Sequence, residues 1–137
     1  MRIFMKGGFL MIKNIRRLPD AELEVMQAIW ACEPPVSRNS IETILQETHE
    51  PPMALTTLLT LLSRLADRGF VRAEKIGRSN VYTPLISQAD YLAAQSRSFL
   101  DKLCGGSIST FANALCDSGL TKEELDELRQ LLERGQL

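Results

Sequence analysis

The segment Met53–Arg68 constrains the fold more than any other part of the chain. Leu55, Leu58, Leu61, Leu62 and Leu65 recur at helical spacing and fall on one broad arc, with Thr56, Thr57, Thr60, Ser63, Arg64, Asp67 and Arg68 on the other. Gly69 stands where a helix end wants a left-handed residue. So wide a leucine arc must be covered by other elements, which makes this the central helix of a small helical core. Its polar face holds no carboxylate until Asp67. A merely solvated helix alternates Glu and Lys. A face of short hydroxyls kept free of acids can instead approach phosphates and touch base edges and thymine methyls.

The flanking segments supply the partners. Leu18–Ala31 carries Leu23, Met26, Ile29 and Trp30 at helical spacing with Glu22, Glu24 and Gln27 opposite, and Pro19 and Asp20 suit a first turn. After the Pro34-Pro35 break, Ser37 is placed to cap a short helix burying Ile41, Ile44 and Leu45, which ends at His49–Pro52. Downstream, Phe70–Ile76 and Asn80–Thr83 read as two strands around Gly77-Arg78-Ser79, closed by Pro84. Three helices and then a hairpin are the order of a winged helix-turn-helix, whose third helix enters a major groove while the hairpin lies along the backbone. Lys75 and Arg78 flank the hairpin turn, with Arg72 before them and Glu74 alone opposing. Phosphate contacts are expected there.

Beyond the hairpin the reading is helical throughout. Ser87 caps a helix to about Leu103 with Leu92, Phe99 and Leu103 on one face, and Gly105-Gly106 breaks it. Ser107–Cys116 forms a shorter helix, and the capping box Thr121-Lys122-Glu123-Glu124 opens a last one with Leu125, Leu128 and Leu132 at i, i+3, i+7. Charge divides in the same place: 11 Lys and Arg against 9 Asp and Glu through Tyr82, but 5 against 8 beyond it. The two halves are expected to do different work.

Other function classes find no support. Cys32, Cys104 and Cys116 are an odd set at spacings that fit no metal or redox pair, so buried free thiols are expected. His49, beside Glu47 and Glu50, has no second histidine to complete a metal site. Trp30 reads as core of the first helix. No glycine-rich phosphate loop, nucleophile elbow or carboxylate pair occurs, so neither catalysis nor a cofactor is expected. The opening residues lack the apolar core of a secretory signal, and no run of about 18 apolar residues exists to span a bilayer. A cytoplasmic protein is the expectation.

Four ordered segments carry a family resemblance: Leu18-Pro-Asp-Ala-Glu-Leu-Glu-Val-Met through Ile29-Trp30; Thr57-Leu-Leu-Thr-Leu-Leu-Ser-Arg-Leu-Ala-Asp-Arg-Gly69; Gly77-Arg78; and Val81-Tyr82-Thr83-Pro84. Together they resemble the BlaI/MecI/CopY penicillinase-repressor family. The resemblance implies a homodimeric transcriptional repressor whose winged helices bind a palindromic double-stranded operator, with the C-terminal helices as the dimer interface. Carried over, Thr57, Thr60 and Arg64 match residues facing DNA, and Lys75 with Arg78 the basic wing; Thr56 stands where several relatives have Lys, and Asp67 where a basic residue is frequent. Copper-responsive members end in a cysteine-rich motif, which Leu125–Leu137 lacks. Penicillin-responsive members are released when a membrane sensor protease, or a protease downstream of it, cuts the dimerization half, and the equivalent bond here falls at Ala114–Leu115.

The expectations are therefore specific. The fold is mainly α with a small β-hairpin wing: an extension over 1–15, a winged-helix DNA-binding domain over 16–84 and a helical dimerization domain over 85–137. Thr56, Thr57, Thr60, Arg64, Lys75 and Arg78 face DNA, and Phe99, Leu103, Phe111, Leu125, Leu128 and Leu132 form the dimer contact. Two alternatives stay open: release by a small-molecule ligand, which needs an apolar pocket with convergent polar groups, and a winged-helix adaptor that binds protein.

Overall fold

The computed structural model describes residues 15–135. These divide into two compact units that part between Gln95 and Ser96. The division falls inside a helix and not at 84/85, because the first turns of that helix belong to the first unit's core.

The first unit begins with α1 (Asp20–Trp30), β1 (Val36–Ser37), α2 (Arg38–Thr48) and α3 (Leu55–Asp67), and continues with β2 (Val71–Ile76), β3 (Ser79–Pro84) and the start of α4 (Gln88–Lys102). Strand–helix order and the closing hairpin are those of a winged helix. Pro19 stands at the N-cap of α1 with Asp20 and Glu22 in the first turn, where acids complement the helix dipole. Ser37 caps α2, its hydroxyl accepting from the Ser40 amide at 3.1 Å. The short strand β1 went unexpected; it pairs antiparallel with β3 through Val36↔Tyr82 and Ser37↔Val81, giving a sheet ordered β1-β3-β2.

Leu58, Leu61, Leu62 and Leu65 of α3 are buried against Val25, Met26 and Ile29 of α1, Ile41 and Leu45 of α2, and Phe70, Val71 and Tyr82 of the sheet. The expected arc holds except at its first member: Leu55 is 42% exposed. Glu22, expected on the solvent side of α1, is instead buried at 1%. Ile15, placed by sequence in the N-terminal extension, packs against this core, while the rest of the extension lies outside the described residues.

Tyr91 ties α4 into the same core. Its hydroxyl accepts from the Leu18 amide at 2.8 Å, and its ring lies 5.7 Å from Trp30 and 5.9 Å from Phe70. Trp30 donates through Nε1 to the Ile86 carbonyl at 2.9 Å.

The second unit comprises the rest of α4, α5 (Ile108–Asp117) and α6 (Lys122–Glu133). Gly105 and Gly106, at φ +60° and +78°, make the break that was expected before α5. Ser107 caps α5 and the Thr121–Glu124 capping box closes reciprocally on α6. Neither α5 nor α6 has a buried residue. Both helices are well capped locally and poorly covered.

Candidate nucleic-acid interface

The interface grows from the way α3 ends. The Gly69 amide donates to the Ala66 carbonyl at 3.1 Å and the Phe70 amide to the Leu65 carbonyl at 2.9 Å, with Gly69 at φ +82°. This double bond pattern is a Schellman cap, in which a left-handed residue reverses the chain and the next apolar side chain packs back on the helix. Phe70 is that side chain, 3% exposed, and β2 starts immediately after it. One glycine therefore sets the wing beside the helix.

Within α3, Thr56, Thr57, Thr60, Ser63 and Arg64 are all exposed. Helical geometry centres Thr56, Thr60 and Ser63 opposite the buried leucines, with Thr57 and Arg64 along one flank and Leu55 and Leu59 along the other. The Thr60 hydroxyl donates to the Thr56 carbonyl at 3.0 Å, so its lone pairs and methyl face outward. Arg64 has no acidic partner among the described residues. Arg68, by contrast, leaves the polar face: its Nε lies 2.9 Å from Glu22 Oε1.

The wing is a tighter hairpin than expected. Ile76 pairs with Ser79, leaving a two-residue turn of Gly77 and Arg78. Gly77 alone takes a positive φ, +63°, as the first residue of a turn that follows the right-handed twist of the strands. Arg78 is thereby held at the tip, and Lys75 is exposed beside Asn80. Arg72 is engaged with Glu74 at 3.6 Å, whereas Lys75 and Arg78 meet no carboxylate among the described residues.

Three exposed residues were not singled out by the sequence. Leu59 and Ile76, 38% and 59% exposed, bring apolar surface to the helix flank and the wing, where thymine methyls and sugars could be met. Arg38 opens α2 next to its Ser37 cap and reaches Glu42 at 3.8 Å; a helix N-terminus bearing an arginine suits a phosphate. The signal for Arg38 was its place after the cap serine.

Residues 18–134 match the family described as Penicillinase repressor. The chain belongs to that family. It is 37% identical over 123 residues to the penicillinase repressor of Bacillus licheniformis, covering 89% of this chain and 94% of that one. It is 30% identical over 118 residues to the methicillin resistance regulatory protein MecI of Staphylococcus aureus strain N315, covering 85% and 94%. A solution structure of the monomeric B. licheniformis BlaI in complex with the blaP half-operator superposes with a TM-score of 0.46 at 38% identity, over 56% of this chain and 90% of that one. The penicillinase repressor family is a family of transcriptional repressors and not of enzymes.

The remaining expected sites of this penicillinase-repressor chain lie in the second unit. Phe99 and Phe111 meet, ring centroids 5.3 Å apart. Leu103, Leu128 and Leu132 are exposed at 72%, 37% and 51%, and Leu125 is half-buried. Ala114 and Leu115 sit inside α5, the first exposed and the second half-buried. All three cysteines are free, but only Cys104 is buried; Cys116 is exposed, on a helix that has no buried residue. An open pocket of about 380 Å³ in the first unit is lined by Ile15, Leu18, Phe70 and Ile86 with Arg16, Arg17 and Arg68. Among the described residues no helix is long and apolar enough to cross a membrane.

Proposed function

We propose that this chain is a homodimeric repressor that acts in the cytoplasm on a palindromic operator, reading bases with Thr56, Thr57, Thr60 and Arg64 and holding phosphates with Lys75 and Arg78. One observation carries the reading: an exposed, hydroxyl-rich, acid-free stretch of α3 lies beside a glycine-turned wing whose two tip cations have no partners among the described residues. A protein-binding adaptor would have no use for so consistent an exclusion of carboxylates. Selection of duplexes from a randomised pool tests it. An inverted repeat should emerge, bound at least about a thousandfold more tightly than scrambled DNA, the lower end of the margin that separates specific from random sites; a pool that yields no preferred sequence refutes operator reading.

Dimerization through the C-terminal helices is supported by their bareness. Phe99, Leu103, Ile108, Leu128, Leu131 and Leu132 are large apolar residues left 37–72% exposed. They are left bare in so small a unit, and a second copy presents the same stripe. Release by proteolysis near Ala114–Leu115 follows from the same bareness. A protease needs extended backbone, and a helix without buried side chains opens locally at little cost. The pocket beside Leu18 and Phe70 favours a second mode, release by a small ligand; displacement of the uncut protein by a diffusible compound would select it.

A further inference from the structure

Glu22 and Arg68 form a contact that the DNA-reading surface does not use and that the core does not need. The Glu22 side chain is 2% exposed, Arg68 is 44% exposed at the C-cap of α3, and Nε and Oε1 are 2.9 Å apart. The contact is one of charge and not of an aligned N–H···O bond, for Glu22 Oε1 has no hydrogen-bond partner. A buried carboxylate held by one half-exposed guanidinium is a poor way to gain stability, since the desolvation of the acid consumes most of the attraction. Two apolar side chains of similar volume would serve the core better. What the pair has, and leucines lack, is a penalty for separation: apolar contact between α1 and α3 tolerates small slips and rotations, whereas a shift that draws the guanidinium away leaves the buried carboxylate uncompensated.

We infer that Glu22 and Arg68 are positioning residues that fix the angle of the recognition helix on α1, and so the discrimination between operator and random DNA. The inference rests on the DNA-reading assignment above. Lever geometry makes the effect large. Thr57 lies eleven residues before Arg68, roughly 16 Å along the axis at 1.5 Å per residue. A rotation of about 10° about the Arg68 end would move Thr57 by about 3 Å, more than a base-edge hydrogen bond survives. Contacts to phosphate, made by flexible side chains in a smooth field, tolerate such a shift.

The decisive variant is the double substitution Glu22→Leu with Arg68→Met in the full chain. The probes are the duplex that the native protein enriches from a randomised pool and a scrambled duplex of equal length. We expect a thermal midpoint at or above the native one, unchanged affinity for scrambled DNA, and a loss of at least fivefold in affinity for the enriched duplex, about what one base contact is worth. A purely structural pair would leave discrimination tracking stability; a ratio within twofold of native in a fully folded double variant overturns the inference. Should that variant fail to fold, Glu22→Gln, which keeps shape and removes the charge, must show the same fall in discrimination, and a native ratio there overturns it equally. If the native protein enriches no duplex, the DNA-reading assignment fails and this inference fails with it.

Discussion

At the scale of single side chains, the hydroxyls of α3 divide by what they have left to offer. Thr60 gives its proton to the Thr56 carbonyl, so toward a base it can only accept a bond or present a methyl. It suits the amino groups of adenine or cytosine, or a thymine methyl, and not the acceptor edge of guanine. Thr60→Val, which keeps the shape and removes the lone pairs, should therefore relax preference at one base position in a repeated pool selection, while Thr57→Ala should weaken the enriched duplex by about 1–3 kcal/mol and scrambled DNA hardly at all. Arg78→Ala should weaken both duplexes alike and lower the slope of log affinity against log salt by about one per contact, as titrations at two salt concentrations would read. Tyr91 is a different kind of residue, since its hydroxyl is the partner of a buried amide. Tyr91→Phe leaves the Leu18 N–H unsatisfied, and a loss of about 1–3 kcal/mol, a fall of several degrees in melting temperature by calorimetry, is the expected outcome.

Among the elements, α3 and its flanking hairpin were legible because each is specified locally. Leucines at helical spacing, Gly69 and the glycine turn all state their conformation within a few residues. What escaped is specified at a distance. Strand β1 is two residues after a proline pair, with no alternation to betray it, and exists only because β3 offers an edge at Val81 and Tyr82. By sequence Glu22 reads as solvent-facing, because a charge on an amphipathic helix ordinarily points there; the cation that meets it inside lies far downstream in Arg68. Along α4 the large residues Leu92, Phe99 and Leu103 suggested a packed face, yet they are 39–72% exposed, and the core takes Tyr91 and Ala94. The exposed threonines of α3 were visible in the sequence as one face, though not the flanking Leu59 and Ile76. The division at Gln95 sets a test of its own: a fragment ending at Gln95 should unfold cooperatively as a monomer, whereas one ending at Leu85, deprived of Tyr91 and the Ile86 carbonyl, should melt at a clearly lower temperature by circular dichroism.

For the molecule as a whole, association and reading are expected to be coupled only through avidity. Leu103→Glu with Leu132→Glu places charges in the bare stripe and should give monomers by sedimentation, with operator affinity falling by a factor on the order of 10²–10⁴ while the half-site affinity is kept. A specific protease site introduced at Ala114–Leu115 should have the same effect once cut; affinity within twofold of the uncut protein would rule out that route of release. The bareness of α5 and α6 has one more consequence. If the proposed dimer forms through them, helices with no buried residue gain much of their stability when a second copy arrives, and their folding is then governed by mass action. Silencing of a promoter would then rise with the square of the number of chains in the cell: below a threshold copy number the chains are both idle and exposed to degradation, above it they protect one another, and a modest change in synthesis or turnover is converted into a sharp change in gene expression.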